Sequence, residues 1–128
     1  MSKISMNKWQ QFHHENKTWL RSLDYFGQEN IALKFRLSEV LEHSTNKKFL
    51  DEAEEFQNKF LSKDELIKEL KEEILLQQKR FADLSEHDNA ALKAILNMHN
   101  KLGAQLENLE NGFGHLKYEF NKYISSIL

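Results

Sequence analysis

The fold is indicated most clearly by residues 92–127, which read LKAILNMHNKLGAQLENLENGFGHLKYEFNKYISSI. Apolar side chains recur there every three or four residues, the spacing that places them along one face of an α-helix. This apolar stripe consists of Leu92, Ile95, Leu102, Leu106, Leu109, Phe113, Leu116, Phe120, Tyr123 and Ile127, and only His99 interrupts it. The spacing predicts one long helix from about 88 to 127.

The same spacing occurs twice in the preceding sequence. The first stripe consists of Trp9, Phe12, Trp19, Leu23, Phe26, Leu33, Leu37 and Val40, with Asn16 and Asn30 as its polar exceptions. The second stripe consists of Ala53, Phe56, Phe60, Ile67, Leu70, Ile74, Phe81 and Leu84, with Lys63 and Gln77 as its exceptions. Polar segments rich in helix-capping side chains lie at 43–48 and 85–88. The two further helices are therefore predicted at about 5–43 and 47–84.

Nothing in the composition forces these helices to break, because the chain has no proline and only four glycines. Ser62-Lys63-Asp64-Glu65 has the pattern of a helix start, and Gly112 and Gly114 lie inside the third helix. Both stripes keep their phase across these points, so we predict that each helix continues through them, strained or kinked but not interrupted. Short connections favour antiparallel neighbours. The prediction is one all-α domain over residues 1–128, a long antiparallel up-down-up three-helix bundle with coiled-coil-like packing.

Composition and motifs argue against several classes of function. Eighteen basic and 20 acidic side chains give a net charge of −2, without the basic excess typical of nucleic-acid binders. The absence of cysteine excludes disulfides, thiolate metal sites and cysteine nucleophiles. No apolar run is long enough for stable membrane insertion, and no signal-like segment follows the opening residues, so a cytoplasmic location is expected. No phosphate-binding loop or zinc-protease motif occurs. We expect no enzymatic activity and no cofactor.

The polar exceptions are the candidate site residues. Two polar layers are predicted where polar residues of neighbouring helices fall level, and they consist of Asn16, Gln77 and His99 and of Asn30, Lys63 and Glu110. Two interpretations of the first layer stay open. It either penalises slipped packings of the bundle or forms a small-ligand or metal site between helices. We favour the former, because one imidazole and two amides are poor ligands for most metals.

The remaining histidines and glycines suggest no site. Glu39/His43 and His115/Glu119 are spaced four apart, as in ordinary solvated pairs on a helix surface. Gly103, like Gly27, lies beside a stripe and is expected either to permit close helix approach or to tolerate a bend.

Apolar residues away from the stripes point to interaction surfaces. They are Tyr25, Ile31, Phe35, Leu61, Leu75, Leu76, Met98, Tyr118, Ile124 and Leu128. Some are expected to widen the core, and the remainder to form an exposed patch of the kind that marks an interface. The sequence thus predicts a non-catalytic bundle that binds a protein partner or assembles with itself as a possible homodimer. The alternative is ligand or metal binding at the first polar layer.

Several short strings resemble a group of known proteins. They are Trp19-Leu20-x-x-Leu23-x-x-Phe26-x-x-Glu29, Phe35-Arg36-Leu37-Ser38-Glu39-Val40, Phe56-Gln57-Asn58-Lys59-Phe60 and Glu119-Phe120-Asn121-Lys122-Tyr123. In these strings the chain is similar to small all-helical bacterial proteins of uncharacterised function. The resemblance implies a helical fold and a bacterial, cytoplasmic setting, and it implies no activity, cofactor or catalytic residue.

Overall fold

The computed structural model describes residues 6–85 and 87–127, and within them the chain forms three α-helices and no strand. Helix α1 spans Met6–Leu41, α2 spans Lys47–Ala82 and α3 spans Asn89–Ile127. At a rise of 1.5 Å per residue, each helix is about 54–58 Å long. The first two end at Leu41 and Ala82, slightly before the ends expected from the stripes.

Side chains in the two connections cap the helices that follow. Asn46 Oδ1 accepts hydrogen bonds from the backbone N–H groups of Lys48, at 2.9 Å, and Phe49, at 3.4 Å. Asp88 Oδ1 accepts from the Ala91 N–H at 3.0 Å. Each cap satisfies amide groups that have no acceptor inside the helix, which fixes where α2 and α3 begin.

Contacts between helices establish the topology. Lys34 and Asp24 of α1 pair with Asp64 and Lys71 of α2 respectively, so the later residue in α1 meets the earlier residue in α2. These two helices are therefore antiparallel. The Tyr123 hydroxyl of α3 donates to the Phe49 carbonyl oxygen of α2 at 2.7 Å, which brings the end of one helix beside the start of the other.

The first and third helices run in the same direction. Glu15 of α1 contacts His99 of α3, and Glu29, further along α1, contacts Lys117, further along α3. Together with the two antiparallel pairs, this arrangement is an up-down-up three-helix bundle. The predicted all-α fold class is confirmed.

The core follows the stripes along the length of the bundle in three clusters. One lies around Phe12, Phe81 and Ile95, the next around Leu23, Ile74 and Leu102, and the third around Phe60, Phe113 and Phe120. Trp9, the first stripe residue, remains half exposed. The point on the path of α2 that is level with Trp9 along the bundle would be near residue 85. Because α2 ends at Ala82, this helix does not cover Trp9.

The predicted continuity of α2 and α3 is also confirmed. Helix α2 continues through Ser62, and both Phe60 and Ile67 are buried on either side of it. Helix α3 continues through Gly112, with Leu109 and Leu116 buried on either side. An apolar stripe that stays in phase therefore outweighs the local helix-start pattern and the low helix propensity of glycine.

Candidate functional site

The first predicted polar layer is buried, but its members do not hydrogen-bond to one another. Asn16, Gln77 and His99 are all nearly inaccessible to solvent. Gln77 Nε2 donates to Glu73 Oε1 at 2.8 Å, and His99 Nε2 lies 3.2 Å from Glu15 Oε1. A carboxylate can only accept, so Nε2 carries the hydrogen of this His99 contact. The partners of Gln77 and His99 are therefore carboxylates at the edge of the bundle and not other members of the layer.

The His99 ring lies between aromatic rings of α1. Its centroid is 4.4 Å from that of Trp19, with the planes 30° apart, and 4.7 Å from that of Phe12. Gly103, one turn after His99, leaves room for the same indole, because a Cβ there would lie 3.2 Å from Trp19 Cζ2. Gly103 therefore permits close approach of α3 to Trp19, whereas a Cβ at Gly27 would meet nothing within 4 Å.

Asn16 has the least favourable environment in this layer. Its side chain is 0% exposed, and neither Oδ1 nor Nδ2 has a hydrogen-bond partner in the protein. The Nδ1 atom of His99 is likewise buried without a partner. An unpaired buried polar group costs about 1–3 kcal/mol. Unpaired buried groups of this kind lower the stability of the folded chain.

This layer offers few groups that could bind a small molecule or a metal ion. A groove of about 190 Å³ opens beside His99 and is also lined by Phe12 and Glu15. Within residues 6–85 and 87–127, no three histidine, aspartate or glutamate side chains converge as ligands for a metal ion.

The second layer has a different composition from the predicted one. Asn30 is buried, and its Nδ2 donates to the Phe60 carbonyl oxygen at 2.8 Å and to Asp64 Oδ1 at 2.6 Å. The other oxygen of Asp64 pairs with Lys34 Nζ. The polar cluster at this level is therefore formed by Asn30, Lys34 and Asp64 between α1 and α2.

Lys63 and Glu110 do not join Asn30, so the predicted second layer is wrong in these two members. Glu110 is exposed and lines a surface groove with Arg21 and Tyr25 of α1, whereas Lys63 lies against Gly112. The predicted layer was based on the position of Glu110 along the bundle axis and not on the direction in which its side chain leaves the helix. Successive helix residues are turned by about 100°, so a residue directly after buried Leu109 points away from α2.

The acceptors of both layers were missed at the sequence level. Glu73 precedes Gln77 by four residues, and this spacing alone could have identified it. Asp64 and Lys34 have opposite charges and lie at the same level on antiparallel helices, so their pairing could also have been predicted. Glu15 could not have been identified from spacing or charge, because its contact with His99 depends on how closely α1 approaches α3.

Glu29 forms a further polar group between α1 and α3. It accepts hydrogen bonds from the Tyr25 hydroxyl at 2.7 Å and from Lys117 Nζ at 3.1 Å. The bond from Tyr25, followed by that from Lys117, lowers the pKa of the Glu29 carboxyl. The same bond, together with the charge of Glu29, raises the pKa of Tyr25. Further along α3, burial followed by the charge of Glu52 raises the pKa of Tyr123.

Several apolar residues outside the stripes are exposed. Ile31 and Phe35 of α1 are 63% and 65% exposed, and Leu61 of α2 is 47% exposed. Others that remain exposed are Tyr25, Leu75, Leu76 and Tyr118. Met98 and Ile124 instead widen the core, Met98 partly and Ile124 completely, and Leu128 lies outside the described residues.

Ile31 and Phe35 of α1 and Leu61 of α2 are exposed at one level along the bundle, and we refer to them as the apolar patch. Ile31 and Phe35 are four residues apart and thus adjacent on one side of α1. The contacts of Asn30 and Lys34 with Asp64 set the register of the two helices. This register places Leu61, one turn before Asp64, level with residues 31–35.

Comparisons of the chain with protein-family models, with curated proteins and with solved structures found no match. Among the helices in the described part of the chain, none has an apolar stretch sufficient to cross a membrane.

Proposed function

We propose that this chain is a non-catalytic helical bundle that acts through protein–protein contact, by self-assembly or by binding another protein. The observation that carries the proposal is the apolar patch, in which three large side chains of two helices are exposed at the same level. Contiguous exposed apolar surface is characteristic of interfaces. A long bundle offers an extended flank for a second copy or a partner helix. With no cysteine in the chain, we extend the proposal to a reducing, cytoplasmic setting.

Self-assembly is tested by measuring molecular mass against concentration in light scattering. We expect the apparent mass of the wild type to rise with concentration. The double variant Ile31→Ser/Phe35→Ser should remain monomeric, because it removes two of the three side chains of the apolar patch. It should still fold, since both replaced side chains are exposed and contribute little to the core.

Matched leucines of α2 provide the control for that experiment. Leu61→Ser should weaken association, whereas Leu76→Ser should not, because Leu76 is also exposed but lies about 22 Å further along the helix. Equal effects of the two substitutions would contradict a role for the apolar patch. A wild type that stays monomeric at all concentrations would contradict self-assembly.

A second candidate function is ligand or metal binding at Asn16, Gln77 and His99. The observations that favour it concern His99 alone: a groove opens beside this ring, and its buried Nδ1 has no hydrogen-bond partner. Asn16 and Gln77 do not line that groove. If the layer only penalises slipped packings and binds nothing, His99→Leu should leave the free energy of unfolding unchanged or raised, because the substitution removes a buried polar group. Elemental analysis of protein purified without a metal-affinity tag provides the other measurement. Metal bound to the wild type and absent from His99→Leu would favour this second function.

A further inference from the structure

A groove between α2 and α3 is lined by none of the residues that form the observed polar contacts of Asn30 and His99. Its volume is about 460 Å³. The side chains that matter for its chemistry are contributed by Lys59, Ser62 and Lys63 of α2 and by Gly112, His115 and Glu119 of α3. This volume lies in the range of small-molecule sites.

Lys63 lies at the floor of the groove because of its position in the stripe of α2. It interrupts the run of buried residues between Phe60 and Ile67, and its side chain is half-buried between the helices. Its ammonium lies directly over the backbone of Gly112, where a Cβ would be only 2.9 Å from Nζ. Glycine is disfavoured inside helices, and at this position it provides the space that the Lys63 ammonium occupies.

The ammonium of Lys63 has no ion-pair or hydrogen-bond partner among the residues that the structure describes. The lysines at 34, 71 and 117, in contrast, each pair with a carboxylate of a neighbouring helix. Glu119 lines the same groove without forming an ion pair with Lys63. A cation that is partly removed from water and left without a counter-charge favours binding of an anion.

The other groups of the groove strengthen this preference. Lys59 brings a second ammonium, which lies 5.7 Å from the Phe56 ring centroid. The lining contains two lysines and one carboxylate, that of Glu119, so basic side chains outnumber acidic ones there. Ser62 adds a hydroxyl donor.

We infer that this groove is a binding site for a small molecule that carries an oxyanion, either a phosphate or a carboxylate group. Lys63 is the central ligand of the anion, and Lys59, Ser62 and His115 are the flanking donors. The inference does not depend on the apolar patch, whose residues are exposed on α1 and α2 and do not line this groove.

Titration with two probe anions tests the site. Backbone amide shifts of the full chain are followed by NMR while inorganic phosphate, or in a parallel series succinate, replaces chloride at constant ionic strength. We expect saturable shifts centred on residues 59–63 and 112–119. Saturation with phosphate alone identifies a phosphoryl ligand, and saturation with succinate alone identifies a carboxylate ligand. If neither anion causes shifts beyond those of chloride, the inference is overturned.

Two matched pairs of variants locate the binding. Lys63→Gln should weaken phosphate or succinate binding at least about tenfold, the effect of losing one charge-assisted hydrogen bond. Lys68→Gln changes the charge equally at an exposed position of the same helix and should leave affinity nearly unchanged. Equal losses in both variants would show a general charge effect and overturn the inference.

The second pair changes shape without changing charge. Gly112→Ala places a methyl group where the Lys63 ammonium lies, so it should weaken anion binding. Gly114→Ala, whose Cβ would meet nothing within 4 Å, should not. Both substitutions favour the helix, so the comparison does not depend on a variant that fails to fold. Unchanged binding in Gly112→Ala would contradict the assigned position of the anion.

Discussion

Asn16 and Asn30 are the same residue type at equivalent positions of one apolar stripe, yet their environments differ. Both side chains are 0% exposed. The amide nitrogen of Asn30 donates two hydrogen bonds to α2, to the Phe60 carbonyl oxygen and to Asp64. Asn16 has no partner for either polar atom. The pattern that buries an asparagine therefore does not determine whether its burial is compensated.

The neighbouring helices explain this difference. At the level of Asn30, α2 presents a carboxylate, and Lys34 holds the second oxygen of that carboxylate from the adjacent turn. At the end of the bundle near Asn16, the side chains one turn away on the same stripe are Phe12 and Trp19, and the rings of both lie against His99. Aromatic packing there contributes apolar contact and few acceptors. One asparagine joins a polar cluster, and the other is buried without a partner at a level where aromatic rings pack.

The largest effect is expected for Asn30→Leu. This substitution removes a buried hydrogen bond to a charged group and leaves the Asp64 carboxylate with fewer donors, so we expect a loss of about 2–3 kcal/mol in the free energy of unfolding. Chemical denaturation monitored by circular dichroism measures the change. A stability equal to that of the wild type would show that the Asn30 cluster contributes no net stabilisation.

Asn16→Leu is expected to change stability in the opposite direction. Replacing an unpaired buried amide with an apolar side chain of similar branching should raise the free energy of unfolding by about 1–2 kcal/mol. The same denaturation experiment applies. If Asn16→Leu is as destabilising as Asn30→Leu, the two asparagines are equivalent in energy, and the comparison fails.

The smallest effect concerns Glu29, which directly precedes Asn30. Its pKa is lowered in the folded chain, first by the hydrogen bond from Tyr25 and then by that from Lys117. A carboxyl with a lowered pKa stabilises the fold above its unfolded-state pKa, and this contribution is lost as the pH falls through the folded-state pKa. Stability measured against pH should therefore fall less steeply in acid for Glu29→Gln than for the wild type. Parallel curves for the two proteins would contradict this role.

The period of the apolar residues was sufficient to predict the three helices, their continuity and the inward position of Asn16, Asn30, Gln77 and His99. It was not sufficient to predict their partners. Asp64, Glu15 and Glu73 lie beside the stripes rather than on them, and the pattern of the stripes carries no information about such flanking residues. Glu110 shows the converse error, because a residue can be level with a partner and still point away from it.

The sequence by itself determined which residues are helical and which side of each helix is buried, because both properties repeat with the period of the helix and depend on nothing distant. The tertiary structure decided which buried polar groups have a partner and which have none, the contact of Lys63 with Gly112 and the exposure of Glu110. These features depend on how three helices are rotated and spaced relative to one another. A displacement of two residues along a helix turns a side chain by about 200°, so small differences in register change which groups meet.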